Sequence, residues 1–142
     1  DYEWNVRLRN AGGKVYLDPA IHSNYFARAN LPALARQYWR YGYWKFRMLK
    51  RYPGSLRWRQ ALPPLFVAGM AALILASPFW KFARILLLSV SVFYLLVLHA
   101  GSVPAAIRGR DLRLMIGIPL AIMSMHFAWG AGFLYSIFTS KG

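Results

Sequence analysis

Three long stretches of this chain contain no charged side chain: Leu62 to about Trp80, Ile85 to about Ile107, and Leu114 to about Phe138. A helix needs about 20 residues to cross the hydrocarbon of a bilayer. Each stretch is long enough, so the expected fold class is a mainly α membrane protein with three transmembrane helices, at about 62–80, 83–107 and 114–138. Pro63, Pro64, Pro78 and Pro104 fall near the ends of these runs, where a missing backbone donor costs least, while Pro119 lies about a turn inside the third and permits a bend. Gly69, Ala71, Ala72, Ser89, Ser91, Gly130 and Gly132 are small enough to let helices approach closely.

The charge outside these runs is strongly one-sided. Eighteen Lys and Arg stand against Asp1, Glu3, Asp18 and Asp111, a formal charge of +14, and twelve of the eighteen precede Gln60. A nucleic-acid binder would carry such charge on a soluble fold; here it abuts long apolar runs, so anionic membrane lipids are the expected partner and nucleic acid is not. Basic residues are dense before the first run and recur as Arg108, Arg110 and Arg113 between the second and third, with Lys81 and Arg84 between the first and second. The expected orientation therefore has the N-terminal side cytoplasmic and the C-terminal end outside.

The first sixty residues read as a separate region. Trp4, Leu8 and Ala11 share a helical face, and Gly12-Gly13 supplies a stop. Lys14–Leu17 and Ile21–Phe26 are β-prone runs broken by the turn pair Asp18-Pro19 and read as two short strands. Asn30 is placed to cap a helix that admits Pro32 in its first turn and runs to about Tyr52, before Pro53-Gly54. At 100° per residue, Arg36, Arg40, Arg47 and Arg51 fall in one sector with Tyr43 and Lys50, opposite Leu34, Ala35, Tyr38, Tyr41, Met48 and Leu49. That is the pattern of an amphipathic helix in the membrane interface, its apolar side among acyl chains. The domain reading is 1–29, 30–59 (interfacial helix and linker) and 60–142 (transmembrane region).

Self-contained catalysis is hard to build from these residues. Asp1 and Glu3, two positions apart, point to different sides of a helix. No Cys is present, His22, His99 and His126 lack ligand spacing, and no Gly-rich phosphate loop occurs. No metal site is expected within the chain. His126 reads as an interhelical hydrogen-bonding group rather than as a catalyst.

The order Asp1-Tyr2-Glu3-Trp4-Asn5, Arg7-Leu8-Arg9, Gly12-Gly13, Leu17-Asp18-Pro19, Arg28 and then Gln37-Tyr38-Trp39-Arg40-Tyr41-Gly42-Tyr43-Trp44-Lys45 resembles membrane-anchored family 2 glycosyltransferases of the succinoglycan-biosynthesis type. The third run, with His126, Trp129, Gly130, Gly132, Phe133 and Leu134, is similar to the last helix of that family. The resemblance implies that residues 1–29 are the C-terminal remnant of a GT-A-type α/β catalytic domain, a short helix plus two short strands, and that the chain starts inside a helix. It implies a Glu-Asp pair whose second acid, the general base, corresponds to Asp1. It also implies a Gln-x-x-Arg-Trp-like motif matched by Gln37 and Arg40, with Tyr41 in place of the tryptophan, contacting acceptor sugar and nucleotide diphosphate.

The residue types suit that chemistry. A carboxylate can accept the proton of an attacking sugar hydroxyl, a guanidinium such as Arg40 can hold a departing diphosphate, Gln37 can orient a hydroxyl or phosphate, and Tyr41 and Trp44 can stack on a sugar ring. The implied partners are a nucleotide-sugar donor and a lipid-linked or saccharide acceptor at a bacterial inner membrane. The implied cofactor is a divalent cation, Mg or Mn, bound by an upstream domain, so that the fragment alone is inactive. The alternative is a non-catalytic membrane anchor or assembly module of a polysaccharide biosynthesis or export complex. A channel or transporter subunit is disfavoured by the lack of charged residues inside the runs.

Overall fold

The computed structural model describes residues 2–55 and 57–140. Among these residues, five α-helices form in order: α1 (Tyr2–Asn10), α2 (Leu31–Arg51), α3 (Trp58–Ala76), α4 (Lys81–Gly109) and α5 (Leu114–Thr139), with a 3-10 turn at Pro53–Ser55 between α2 and α3. Asn30 caps α2 as its position suggests: its backbone is extended and its side chain accepts from the Ala33 N–H at 2.9 Å. Such a cap satisfies one of the four free donors at a helix start.

Three of the helices, α3, α4 and α5, are long and apolar enough to cross a membrane, and the chain is built as a multi-pass membrane protein. Their outward surfaces are large and apolar: Leu75, Phe93 and Leu65 are 74%, 69% and 67% exposed. Side chains like these in a row suit acyl chains rather than water. The interior, by contrast, is small. Ser102 and Ser136 are fully covered, and Ala83, Ala106, Gly130 and Gly132 are buried with them. Within lipid, apolar burial does not drive helices together, so close approach over small residues does.

The first membrane helix is displaced from the expected 62–80. It begins four residues earlier because the Gln60 side chain accepts from the Arg57 N–H at 3.2 Å and closes the first turn. It also ends four residues earlier, at Ala76, where Ser77-Pro78 breaks the ladder. Arg84 then reaches back to the Ser77 carbonyl at 3.2 Å and closes the turn into α4. α4 is capped by Arg110, held in the left-handed region at φ 49° with its N–H donating to the Ala106 and Ile107 carbonyls.

The two expected strands do not form. Residues 14–26 are extended but unpaired among the described residues, and every one of them is exposed. Asp18 does make its turn, its carboxylate accepting from the Ala20 N–H at 2.9 Å. What is missing is a neighbouring strand: β-propensity reports fit to a pleated, half-buried surface, and without a partner ladder a four-residue run has nothing to fit. The reading of 1–29 as an α/β remnant with two strands is thus corrected to a short helix followed by an extended segment.

α2 also departs from the expectation of an apolar side lying free among acyl chains. Its most extensive neighbour is α5, and the stripe that meets it runs through Trp39, Gly42, Tyr43 and Phe46. A Cβ on Gly42 would overlap the Trp129 carbonyl and press on the Phe133 backbone, and a Cβ on Gly132 would overlap the Trp39 carbonyl. The two glycines interlock reciprocally. Around them Trp39 and Tyr43 pack on Tyr135 at 5.6 and 6.3 Å between ring centroids, and Phe46 meets Phe133 edge-on at 5.3 Å. The contacts reach the C-terminal ends of both helices, where Lys50 Nζ donates to the Ser140 carbonyl at 3.1 Å.

The membrane helices converge at one polar and aromatic node. Phe66 of α3 packs on Tyr94 of α4 at 4.8 Å and on Phe127 of α5 at 5.7 Å, and the Tyr94 hydroxyl is hydrogen-bonded to His126 Nδ1 at 3.0 Å. His126 therefore takes the interhelical place read from the sequence.

Candidate functional site

Residues 37, 40, 41 and 44 follow the i, i+3, i+4, i+7 spacing that lines up side chains on one helical stripe. In α2 that stripe carries Gln37, Arg40, Tyr41 and Trp44, and all four line one open cavity of about 920 Å³. Arg36 and Trp39 border it from the same helix, and Arg28 from the extended segment ahead of it. The end of that segment, Tyr25 to Asn30, folds back over the start of α2.

Gln37 is the hub of the site. Its amide oxygen accepts from Arg28 Nε at 2.8 Å, and its amide nitrogen donates to the hydroxyls of Tyr41 at 2.6 Å and Tyr25 at 3.3 Å. Both amide donors are therefore used. In this arrangement Gln37 fixes Arg28 and two tyrosines rather than pointing a free group into the cavity. Arg36 and Arg40 are exposed and have no hydrogen-bonded or ionic partner among the described residues. They are the groups left available to a ligand.

Trp44 is 59% exposed. One side of it is already occupied: the Arg47 guanidinium lies 5.4 Å from its ring centroid and 4.6 Å from that of Tyr43, and Tyr43 meets Trp44 edge-on at 5.5 Å. Cation–π contacts of this kind hold a ring in place. Arg47 itself is half-buried, its Nε buried without a hydrogen-bond partner among the described residues. It therefore braces Trp44 from within rather than joining a uniformly solvated basic face.

The cavity gathers three guanidiniums, Arg28, Arg36 and Arg40, beside the aromatic surfaces of Trp39, Tyr41 and Trp44, and no acid lines it. That combination suits an anionic, phosphate-like group attached to a ring. It does not suit a divalent cation, which takes oxygen ligands from carboxylates. Among the described residues no group of three His, Cys, Asp or Glu could hold a metal.

Asp1 lies outside the described residues. Its neighbour in α1, Glu3, makes an ion pair with Arg51 at 3.6 Å, both partners exposed. Arg51 is eleven residues beyond Arg40, about 16 Å along the helix. The described part of α1 is thus docked at the other end of α2 from the Gln37 hub. A second, smaller cavity of about 460 Å³ opens there, lined by Arg9, Asn10, Arg51, Arg57 and the Pro53–Ser55 turn.

Sequence reasoning missed Tyr25 and the use of Arg28, because the return of an extended segment onto a helix leaves no periodic trace. It also missed Gly42 and Lys45. Gly42 had a signal, an isolated glycine in the middle of a bulky helix. Lys45 is 6% exposed and donates to the Ser55 carbonyl at 2.9 Å; nothing in its spacing distinguishes it from the exposed lysines.

No family model matches the chain, and no curated protein or solved structure is significantly similar to it.

Proposed function

We propose that this chain is the membrane part of an inverting glycosyltransferase that moves a sugar from a nucleotide-sugar donor to a lipid-linked or saccharide acceptor. The observation that carries this reading is the stripe of Gln37, Arg40, Tyr41 and Trp44 facing one cavity, with Arg28 fastened to it through Gln37. In the proposed reaction an acceptor hydroxyl attacks the anomeric carbon, the bond to the diphosphate oxygen breaks, and the proton passes to a carboxylate. Asp1 is the proposed base, which requires α1 to leave the Arg51 end of α2, where Glu3 is paired. Arg40, with Arg36 and Arg28 beside it, holds the diphosphate as its charge grows, and Tyr41 and Trp44 flank the sugar. A Mg or Mn ion would be held by the proposed upstream domain. The reaction side is the cytoplasmic face of a bacterial inner membrane, the side favoured by the basic residues ahead of α3.

The packing of α2 on α5 through Gly42 and Gly132 favours a second reading, a rigid membrane module that anchors or assembles a polysaccharide complex without catalysis. One experiment separates them. In membranes carrying the protein with its upstream sequence, Arg40→Gln should lower transfer about a hundredfold, the usual effect of removing one donor from developing charge, while the protein stays in the membrane. Undiminished transfer by that variant, or by Asp1→Asn, refutes the assignment of the altered residue. Absence of transfer from any nucleotide sugar in the unaltered protein leaves the anchor.

A further inference from the structure

The smaller cavity is a separate collection of charge. Arg9 comes from the last turn of α1, Arg51 from the last turn of α2, and Arg57 stands immediately ahead of α3. No lining residue is acidic, and among the described residues Glu3 pairs only with Arg51. The wall is fixed rather than loose: the Ser55 N–H donates to the Tyr52 carbonyl at 3.0 Å, and the Ser55 carbonyl accepts from Lys45. Three guanidiniums around one space repel one another unless an anion joins them.

The depth of the cavity narrows the choice of anion. Arg57 is five residues before Leu62, where the first uncharged run begins, so the cavity sits at the level where a membrane helix leaves the hydrocarbon. Phosphates of phospholipids lie at that level, and basic pockets there take lipid headgroups. We propose that this cavity binds a phosphate ester, supplied by the headgroup of an anionic phospholipid. The proposal stands independently of the transferase reading.

The test uses the chain in nanodiscs of phosphatidylcholine containing phosphatidylglycerol, with retained phosphatidylglycerol counted by native mass spectrometry. The R9Q/R57Q double variant should retain roughly thirtyfold less, the combined effect of two charges near a membrane surface, whereas R108Q/R110Q, equal in charge, should retain as much as the unaltered chain. Equal losses in the two variants would reduce the effect to net charge and overturn the site. Inorganic phosphate added in place of the anionic lipid tests the source: binding of it as strong as that of phosphatidylglycerol, lost in R9Q/R57Q, would overturn the lipid and assign a soluble phosphate.

Different contacts carry a second inference. Trp58 begins α3 only seven residues after Arg51, and Lys45 holds the linker back against α2. Pro63, five residues into α3, lies against Gly130, sixteen residues into α5. Lys50 reaches Ser140 at the end of α5. The first turns of α3 therefore meet the C-terminal half of α5, whereas three full crossings would put them at different depths of a core about 30 Å thick. Three crossings would also carry Arg36 and Arg40 alongside the far half of α5, where lipid disfavours charge.

The geometry points to two crossings, by α3 and α4, with the C-terminal half of α5 lying under α2 at the face from which α3 starts. On this arrangement the C-terminal end lies on the side from which α3 starts, opposite to where three crossings would place it. The chain has no Cys, so a thiol introduced at one position is the only one to react. In sealed vesicles of known orientation, A11C and S140C should react with a membrane-impermeant maleimide from one side and S77C from the other. Labelling of S140C from the S77C side, or only after detergent, would overturn the two-crossing arrangement.

Discussion

Residues 14–26 and the α2–α5 pair meet in space at Gln37, yet they are held by different means. The first is extended, exposed and tied down by a few side-chain hydrogen bonds, chiefly Tyr25 and the nearby Arg28 to Gln37. The second is locked by backbone meeting backbone at Gly42 and Gly132, with aromatic rings packed around the contact. Position along the chain therefore says little about rigidity; what counts is whether a segment finds a surface shaped to receive it. The candidate site joins the two regimes, with its positioning amide on the rigid helix and one of its cations on the extended arm.

The difference can be broken most directly at the glycines. Gly132→Leu would drive a side chain into the Trp39 carbonyl, and overpacking of this kind costs about 1–3 kcal/mol, occasionally more. Thermal unfolding in detergent should show a lower midpoint with α2 released, seen as rapid proteolysis within 31–51; an unchanged midpoint would mean that the close approach is not what holds the pair. Asn30→Ala is expected to cost about 1 kcal/mol by removing the α2 cap, again read from the melting curve, and a null result would show that docking on α5 alone sets the start of the helix. Tyr94→Phe removes the bond to His126 and should cost about 0.6 kcal/mol, the average for such bonds within membranes. At the small end, Val15→Thr or Leu17→Gln should change stability by less than about 0.5 kcal/mol, as exposed substitutions do. A larger loss from either would reveal a partner for the extended segment and erase the contrast.

The helices were legible because each carries its own signals. The uncharged runs, the Asn30 cap with Pro32, and the stops at Gly12-Gly13 and Pro53-Gly54 are all local, and they place α1 to α5 within a few residues. The strands were not legible, because Lys14–Leu17 and Ile21–Phe26 have the composition of strands but pairing depends on a neighbour that a local reading cannot supply. The α2 residues of the candidate site were picked out by type and order, and the structure gathers Gln37, Arg40, Tyr41 and Trp44 at one cavity. Their division of labour was not legible: whether Gln37 reaches outward or is spent on its neighbours depends on Tyr25 and Arg28, twelve and nine residues away. The packing face of α2 was misplaced for a related reason. The wheel ranked positions by hydrophobicity, whereas the contact with α5 is centred on a residue with no side chain.

The committed amide of Gln37 gives the arm a means of sensing occupancy. An anion that captures the Arg28 guanidinium competes with the Gln37 oxygen for it, and once that bond is exchanged the tyrosine hydroxyls can rotate away from their common donor. Filling the pocket would then loosen the clasp that holds residues 21–28 across the helix, so arrival of a charged guest and release of the arm become one event.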